Sequence, residues 1–162
     1  MMNIKISHVS KIIKNNPVIK DISMELQSGA VYGFKGINGS GKTMLMRLIS
    51  GLIRPSQGEI SMNGKILGKD ISFPNSIGVF LENPASNKKY KKYSLGMKQR
   101  LGIAAAIMEK PEIVILDEPT NSLDEDGVDL VKHIVRNEKE RGALVIVSCH
   151  DEEILKGMSD EV

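Results

Sequence analysis

The first third of the chain alternates between apolar and polar residues, as strands with one buried face do. The alternation covers residues 3 to 9 and 18 to 26, with a turn between the two segments. In the earlier segment it places Ile4, Ile6 and His8 on one face. We therefore predict an antiparallel β element at the start of the chain.

Four short apolar runs farther along are typical of more deeply buried strands. They lie at residues 30–34, 77–81, 113–116 and 144–147, and the last two consist wholly of aliphatic residues. Segments with helical spacing lie between them. This alternation of strand and helix predicts an α/β fold with a mostly parallel sheet.

The predicted helices follow from apolar residues spaced by three and four positions. One begins after residue 43, one begins at Ser94 and stops before Pro111, and one covers residues 127–141. A short helix is expected at residues 151–157. The residues predicted to face the core are Met44, Leu45, Leu48, Ile49 and Leu52 in the first helix, Leu101, Ala104, Ala105 and Met108 in the second, and Val131, Ile134 and Val135 in the third.

One glycine-rich stretch indicates a specific chemistry. Residues 36–43 read GINGSGKT and fit the pattern G-x-x-x-x-G-K-[ST], between a predicted strand and a predicted helix. Glycines tolerate the positive φ angles that turn backbone N–H groups toward a phosphate. Lys42 can neutralise the β- and γ-phosphates, and the Thr43 hydroxyl can ligate Mg²⁺. The stretch therefore predicts a nucleotide at a helix N-terminus.

Acidic residues and a histidine end the predicted parallel strands. Ligands of an open α/β sheet bind at the carboxyl edge of its strands. Asp117 is therefore predicted to hold Mg²⁺, directly or through water, and Glu118 to polarise the water that attacks the γ-phosphate. His150 is predicted to support the γ-phosphate or to orient that water. A single acid here could simply cap a turn, but the pair behind a phosphate loop favours the catalytic interpretation.

Composition excludes several other classes of protein. Tryptophan is absent and aromatic residues make up 4% of the 162 residues, so the core must be aliphatic, with nine methionines helping to fill it. A net charge of +2 is too small to indicate nucleic acid or an anionic membrane as partner. The lone Cys149 excludes an internal disulfide framework and fits a reducing compartment. We also expect no secretory signal and no membrane span.

The order of the motifs resembles the nucleotide-binding domain of ATP-binding cassette (ABC) transporters. GINGSGKT is followed by YSLGMKQR, by IVILDEPTNSLD and by SCH, which correspond to the family's phosphate loop, signature, acidic strand with D-loop, and switch histidine. The run GVFLENP is similar to exporters of the bacitracin and antimicrobial-peptide type. The resemblance implies a single ATPase domain over residues 1–162, with a phosphate-loop core, and ATP and Mg²⁺ as its ligands.

The resemblance also implies partners. Two ABC subunits close head to tail around two ATP molecules, so we expect a homodimer or a pair with another ABC subunit, bound to an integral membrane permease at the cytoplasmic face of the membrane. Glu118 and His150 would be catalytic, and Thr43, Asp117 and Glu82 would hold the metal. The residues expected to contact nucleotide are Gly36, Ile37, Asn38, Gly39, Ser40, Gly41, Lys42, Thr43, Met44 and, for the partner's nucleotide, Ser94 and Gly96.

The chain departs from the family between Glu82 and Ser94. Glu82 stands where the family usually has glutamine, and it either ligates Mg²⁺ through water or has no role. Only eleven residues, 83–93, then precede Ser94, whereas relatives carry a helical subdomain there. The subdomain is either absent from a minimal core or omitted from the given sequence, which also stops soon after His150. We expect omission.

Two other functions stay open at this point. The cluster Lys88–Lys92, flanked by tyrosines, could mark a soluble ABC-type ATPase acting on ribosomes or nucleic acid. Because the chain is nearly neutral, a solvated loop is the simpler interpretation and nucleic acid is an unlikely partner. Without the helical subdomain, the chain could also be a nucleotide-binding remnant that does not hydrolyse ATP.

Overall fold

The computed structural model describes residues 1–82 and 94–162, which form two four-stranded sheets and flanking helices. The strands are β1 (Asn3–Ile13), β2 (Asn16–Gln27), β3 (Val31–Phe34), β4 (Gln57–Met62), β5 (Lys65–Ile66), β6 (Ile77–Phe80), β7 (Ile113–Asp117) and β8 (Leu144–Ser148). The helices are α1 (Lys42–Ile49), α2 (Leu95–Ile107), α3 (Glu125–Glu140) and α4 (Glu152–Met158).

The two sheets differ in direction. β2, β1, β4 and β5 lie side by side in an antiparallel sheet, and β3, β8, β7 and β6 lie side by side in a parallel one. The predicted α/β fold with a mostly parallel sheet and an N-terminal antiparallel element is confirmed. The extent of the domain, residues 1–162, stays a prediction.

The parallel sheet separates two apolar clusters. Every residue of β7 and β8 is buried, and alternate side chains enter opposite clusters because successive residues of a strand point to opposite faces. Ile113 and Ile115 join α1 and the antiparallel sheet, whereas Val114 and Leu116 join α2, α3 and α4. The carboxyl ends of β3, β7 and β8 therefore meet at one edge between these layers.

The first strand does not follow simple alternation. Ile4 and Ile6 are buried as predicted, but His8 is exposed and Val9 takes the buried place. The pairing of β1 with β2 shifts register between Ile6 and Val9, and His8 has a positive φ of 49°. The prediction that His8 shares one face with Ile4 and Ile6 is wrong because this bulge inserts an extra residue and reverses the alternation.

The first helix ends earlier than its apolar stripe suggested. α1 stops at Ile49, and Gly51 takes a φ of +79°, which turns the chain away from the helix axis. Leu52 is consequently 55% exposed and does not face the core. Leu45, Leu48 and Ile49 are buried as predicted, and Met44 is half-buried.

The predicted inner face of α2 is wrong. The helix does begin after Ser94, whose side chain accepts a hydrogen bond from the Met97 amide at 3.2 Å. The buried residues are Gln99, Ile103 and Ala106. The residues predicted to be inward, Leu101, Ala104, Ala105 and Met108, are exposed. Because apolar residues occupy both faces of this helix, periodicity could not choose between them.

The later elements agree more closely with prediction. α3 starts at Glu125, two residues before the predicted start, because Asp124 caps it by accepting from the Gly127 amide at 2.9 Å. Val131 and Val135 are buried as expected, and Ile134 is half-buried. The expected short C-terminal helix is α4.

Two further expectations concern the basic segment and membrane spans. The basic segment discussed as a nucleic-acid patch or a solvated loop, residues 83–93, lies outside the described residues. None of the helices within residues 1–82 and 94–162 is both long enough and apolar enough to cross a membrane.

Candidate nucleotide-binding site

The loop between β3 and α1 has a shape that only glycine allows at key points. Gly39 and Gly41 have φ angles of +83° and +96°, in the left-handed region. A Cβ on Gly41 would lie 2.8 Å from Ile19 Cδ1 and 3.0 Å from the Val18 carbonyl oxygen. This close packing seats the loop against β2 while its amides begin α1, a helix of eight residues.

Lys42 reaches back across this loop. Its ammonium donates hydrogen bonds to the carbonyl oxygens of Gly36 and Ile37, the second at 3.1 Å, and its side chain is only 10% exposed. Charged oxygens are stronger acceptors than neutral carbonyls. The ammonium is therefore already positioned at the loop, where phosphate oxygens can compete for it.

Asp117, at the end of β7, is fixed by two hydroxyl groups. Thr43 Oγ1 donates to its Oδ2 at 2.6 Å, and Ser148 Oγ donates to its Oδ1 at 2.6 Å. The carboxylate is 1% exposed. This arrangement places the hydroxyl of the phosphate loop and a buried acid at one point, and both are hard oxygen ligands of the kind that Mg²⁺ prefers.

Glu118 is held by its backbone in an uncommon conformation. It has a φ of +50°, which is unusual for a residue with a long side chain. Its amide donates to Ser148 Oγ at 2.9 Å, and its carbonyl accepts from Gln99 Nε2 at 2.7 Å. Both partners are buried. These bonds maintain a strained backbone that aims the carboxylate at the sheet edge.

The two carboxylate oxygens of Glu118 have different surroundings. Oε2 accepts from the His150 amide at 3.1 Å and lies 3.0 Å from His150 Nδ1. Oε1 is buried and has no hydrogen-bond partner among the described residues, with the Lys42 ammonium 4.0 Å away. A buried carboxylate oxygen without a donor is costly, so Oε1 is poised to accept a hydrogen bond from a ligand or water.

Glu82 reaches the same region from the end of β6. Its Oε1 accepts from Asn121 Nδ2 at 2.6 Å. This bond connects the segment after β6 with the turn after β7, and it occupies one of the two oxygens that a metal could use. The other oxygen of Glu82 makes no hydrogen bond to residues 1–82 or 94–162.

The loop and the acids together line one cleft of about 230 Å³. Free amides and an ammonium form one side, which suits phosphates, and carboxylate and hydroxyl oxygens form the other, which suits a hard cation. Glu118 Oε1 lies 4.0 Å from the Lys42 ammonium across this cleft. These donors fit a phosphorylated ligand with Mg²⁺. The cleft is lined by Val18, Asn38, Gly39, Ser40, Gly41, Lys42, Thr43, Met44, Glu82, Asp117 and Glu118.

Ser94 and Gly96 do not reach this cleft. They line a separate concavity at the start of α2, together with Ser122 and Asp124 of the turn that precedes α3. A hydrogen bond of 3.1 Å from Arg100 to Asp124 joins the two segments. Within one chain, the predicted site residues therefore fall into two groups that open at different places.

Three residues of this region went unpredicted. Ser148 bonds both acids, Gln99 bonds the backbone of Glu118, and Asn121 bonds Glu82. Ser148 was detectable as a polar residue ending a wholly apolar strand. Gln99 was detectable only once the buried face of α2 was known.

The fold and the cleft are those of phosphate-loop nucleotide-binding proteins. Comparison of the chain with known proteins shows which family of this class it belongs to. The family profile described as ABC transporter matches residues 19–90 and, in a second overlapping match, residues 75–121. An uncharacterized ABC transporter ATP-binding protein of Bacillus subtilis, YybJ, is 40% identical and aligns with 97% of this chain and 89% of its own length. The chain belongs to the ABC transporter family of ATP-binding proteins, as the sequence resemblance indicated.

Other relatives are longer than the chain. The bacitracin transport ATP-binding protein BcrA of Bacillus licheniformis is 32% identical over 91% of this chain, which spans 61% of that protein. The chain spans about the same share, 61%, of the ABC transporter ATP-binding protein YhcH of Bacillus subtilis. The alignment with YybJ runs over 195 positions, although the chain has 162 residues. YybJ therefore has residues inside the alignment without a counterpart here.

Solved structures have the same fold. A structure titled as the ATP binding subunit of an ABC transporter superposes with a TM-score of 0.77 over 98% of this chain and 84% of that one, at 22% identity. A nucleotide-free ATP-binding cassette gives a TM-score of 0.80 over 99% of this chain and 86% of that one, at 16% identity. At these identities the likeness concerns the fold.

Proposed function

We propose that this chain binds and hydrolyses ATP and thereby powers transport through a partner membrane permease. The observation that carries the proposal is the state of Glu118. Its backbone is strained and its side chain is 7% exposed. One carboxylate oxygen has no donor among the residues that the structure describes, while the other is held by His150. A carboxylate fixed in this way can orient a water and accept its proton during attack on a phosphate.

The remaining residues of the cleft have separate roles in the proposal. The amides of residues 36–44 and the Lys42 ammonium bind the phosphates, and Thr43 and Asp117 hold Mg²⁺, with Glu82 reaching the metal through water. Mg²⁺, when bound, neutralises charge on the phosphate oxygens. His150 holds Glu118 and supports the γ-phosphate. Positioning and charge stabilisation lower the barrier, and no covalent intermediate is needed.

The position of Ser94 and Gly96, away from the cleft of their own chain, supports a dimer. Ser94 begins a helix of thirteen residues, so its side chain and the free amides of the first turn favour an anion. Within one chain, that helix start lies outside the cleft formed by the phosphate loop. In a head-to-tail dimer, each helix start would cover the nucleotide of the partner, so that two ATP molecules lie between two chains.

The proposed permease partner and the proposed location at the membrane rest on what the relatives are described as doing. BcrA is described as a bacitracin transport ATP-binding protein, and SrtF of Streptococcus pyogenes, 28% identical over 91% of this chain, as a lantibiotic transport ATP-binding protein. By analogy, the chain would bind an integral membrane permease and lie peripherally at the cytoplasmic face of the membrane. Transport of a compound of the bacitracin or lantibiotic class is the transport that these relatives favour.

The Glu118→Gln variant tests the proposed hydrolysis. The amide has the shape of the carboxylate but cannot accept the proton of water, so turnover should fall by about 10²- to 10⁴-fold. ATP binding should persist because the phosphate loop is unchanged. Steady-state ATPase rates at several protein concentrations and sedimentation with ATP and Mg²⁺ measure both properties, and the variant should accumulate as an ATP-dependent dimer.

Glu112→Gln is the matched control, because Glu112 is an exposed acid at the opposite end of β7. It should behave as the wild type. Turnover by Glu118→Gln at the wild-type rate would remove Glu118 from its role. A wild-type chain that binds ATP without any turnover would instead be the non-hydrolysing remnant, and co-purification with ribosomes or RNA in place of a permease would favour the other alternative.

A further inference from the structure

The side chains of Glu118, Cys149 and His150 converge where β7 and β8 end. One ligand atom of each residue lies within 4.8 Å of the other two. The carboxylate and imidazole are already in contact, and Cys149 Sγ lies 3.3 Å from Thr120 Oγ1. Because the residues directly follow neighbouring strands with fixed register, the sheet itself holds the three groups together.

The donor atoms of this cluster differ from those of the magnesium site beside it. Asp117 and Thr43 offer only oxygen, whereas the cluster offers a thiol sulfur, an imidazole nitrogen and a carboxylate oxygen. Sulfur and nitrogen donors select softer cations than Mg²⁺. Cys, His and Glu are all known ligands of Zn²⁺ in proteins, and three of them with water complete a tetrahedral site.

We propose that Glu118, Cys149 and His150 form a second metal site, for Zn²⁺ or a cation of similar softness, and that its occupation stops ATP hydrolysis. Glu118 Oε2 lies 3.0 Å from His150 Nδ1, so the carboxylate and the imidazole already face one point at which a cation could join them. Tetrahedral Zn²⁺ would set the three donor atoms about 3.3 to 3.6 Å apart. The cluster therefore needs shifts of the order of 1 Å or less to close.

Access and charge both bear on the site. The His150 side chain is 60% exposed, so a cation can reach the cluster through it, while Cys149 is 1% exposed and lies beneath. Within residues 1–82 and 94–162, the cation that faces the site is Lys42, with its ammonium 4.0 Å from Glu118 Oε1. The carboxylate and an ionised thiol together outweigh this one positive charge when a divalent cation binds.

Occupation of the metal site would affect ATP hydrolysis because both use the side chains of Glu118 and His150. A cation bound to Glu118 and His150 would engage the carboxylate proposed to activate water and the histidine that holds it. Hydrolysis would stop, whereas ATP would still bind because the phosphate loop supplies none of the three ligands. The site would thus make this ATPase sensitive to thiol-binding metals. The binding itself is independent of the proposed hydrolysis and is measurable without nucleotide.

Titration with CdCl₂ tests the binding directly. Cadmium thiolates absorb in the ultraviolet, and Cys149 is the lone cysteine of the chain, so the band reports on this residue alone. We expect one Cd²⁺ per chain in the micromolar range, displaced by Zn²⁺. His150→Ala and Glu118→Gln should each weaken binding by at least about tenfold. His133→Ala, which removes an exposed histidine of α3, is the matched control and should bind as the wild type does.

Two results would overturn the site. One is the absence of the band up to millimolar Cd²⁺, and the other is equal affinity in His150→Ala and His133→Ala, which would mean that the thiol acts alone.

The inhibition is tested with Cys149→Ser, which keeps a hydroxyl near Thr120. This variant should retain ATPase activity and lose its inhibition by ZnCl₂, and Cys149→Ala serves as a second variant should the serine destabilise the fold. Inhibition of equal strength in the wild type and in a folded Cys149 variant would contradict the proposed consequence. That result would leave the ATPase assignment itself unaffected.

Discussion

The phosphate-loop region and the signature region of this molecule are built in opposite ways. Around the loop, Asp117, Glu118 and Ser148 are buried at the end of a sheet and bonded to one another. Around Ser94, the start of α2 exposes its side chains, and Leu95 and Met97 are 60% and 53% exposed. One region is enclosed by its own chain, and the other is open to solvent.

The difference indicates which part of the site is complete in a single chain. Enclosed polar groups keep a fixed geometry before any ligand arrives, which is what binding phosphates and orienting a water require. Exposed apolar side chains beside a helix N-terminus favour a surface that another molecule covers. We therefore expect substitutions in the loop region to act on the isolated chain, and substitutions in the signature region to act only when two chains meet.

Lys42→Ala should have the largest effect on the loop region. It removes the ammonium that reaches across the loop, and charge-assisted bonds to phosphate are among the strongest that a side chain makes. Loss of about 3 kcal/mol would weaken ATP binding by about two orders of magnitude. Isothermal titration with ATP and Mg²⁺ measures it in the isolated chain.

The control for this variant is Lys35→Ala, because Lys35 precedes the loop but pairs with Glu152 at 2.6 Å on the surface. Its ATP affinity should stay near that of the wild type. Unchanged affinity in Lys42→Ala would contradict the assignment of the loop as the phosphate site.

Gln99→Leu should have the next largest effect, because Gln99 joins the two regions. It belongs to α2, yet its side chain is buried and bonds the carbonyl of Glu118 at 2.7 Å. Leucine would remove this buried donor next to a strained φ and leave the Asn121 amide, at 3.1 Å, as the partner of the carbonyl, at a cost of about 1 kcal/mol. We expect kcat to fall by about tenfold or more while the Kd for ATP stays unchanged, since only the position of Glu118 shifts.

A purely structural role for Gln99 would lower the melting temperature and leave kcat per folded molecule intact. Gln27→Leu, at an exposed position of β2, is the control and should alter neither quantity. Parallel changes in kcat and in ATP affinity would mean that Gln99 supports the whole cleft and does not specifically position Glu118.

The sequence predicted the loop region better than the signature region, for a physical reason. Fully apolar runs such as residues 113–116 and 144–147 have one stable location, between two covered faces, so the acids that follow them must lie at the sheet edge. The helix after Ser94 has apolar residues all round, and its sequence does not say which face packs on the sheet. The inverted face of α2 follows from that ambiguity.

Other features depend on contacts that no single segment specifies. The bulge at His8 is set by the pairing of two strands, and the bond from Gln99 to Glu118 joins residues of different elements. Ser148 illustrates the intermediate case. Its place beside Asp117 follows from the parallel register of β7 and β8. Its bonds to the Asp117 carboxylate and the Glu118 amide depend on side-chain and backbone angles that the sequence does not specify.

Ser94→Ala should have a smaller effect that appears mainly in the dimer. Removing the cap of α2 costs about 1 kcal/mol of stability. On the proposed function it also removes a hydroxyl from the partner's nucleotide, so ATP-dependent dimerisation should weaken while the isolated chain binds ATP as before. Sedimentation of the Glu118→Gln background with and without Ser94→Ala measures this.

Asp151→Ala gives the matched control, because Asp151 caps α4 by accepting from the amides of Glu153 and Ile154 at 3.0 Å each. It should lose comparable stability without weakening the dimer. Equal dimerisation in the two variants would show that Ser94 is only a helix cap. It would contradict the expectation that the signature region acts when two chains meet.

Asp160→Asn should have the smallest effect on stability. It tests the contact between the C-terminal tail and the strand before the phosphate loop. Asp160 Oδ2 accepts from the Val31 amide at 2.8 Å, and the Lys139 ammonium beside Asp160 holds the pKa of this carboxyl below its usual value. The pair thus attaches the C-terminal tail to β3, the strand that leads into the phosphate loop. Since the side chains are 38% exposed and screened by solvent, we expect a loss of only about 0.5 kcal/mol at neutral pH.

The pH dependence distinguishes the ion pair from the backbone contact. Because the folded-state pKa is lowered, the stability from the charge is present above the pKa of the unfolded chain and is lost as pH falls through the folded-state value. Urea unfolding of the wild type and Asp160→Asn should therefore differ at pH 7 and converge at acidic pH, with Glu59→Gln, an exposed neutralisation on β4, as the control. A difference that persists unchanged at low pH would assign the effect to the bond with Val31, and the tail would then stabilise β3 without its charge.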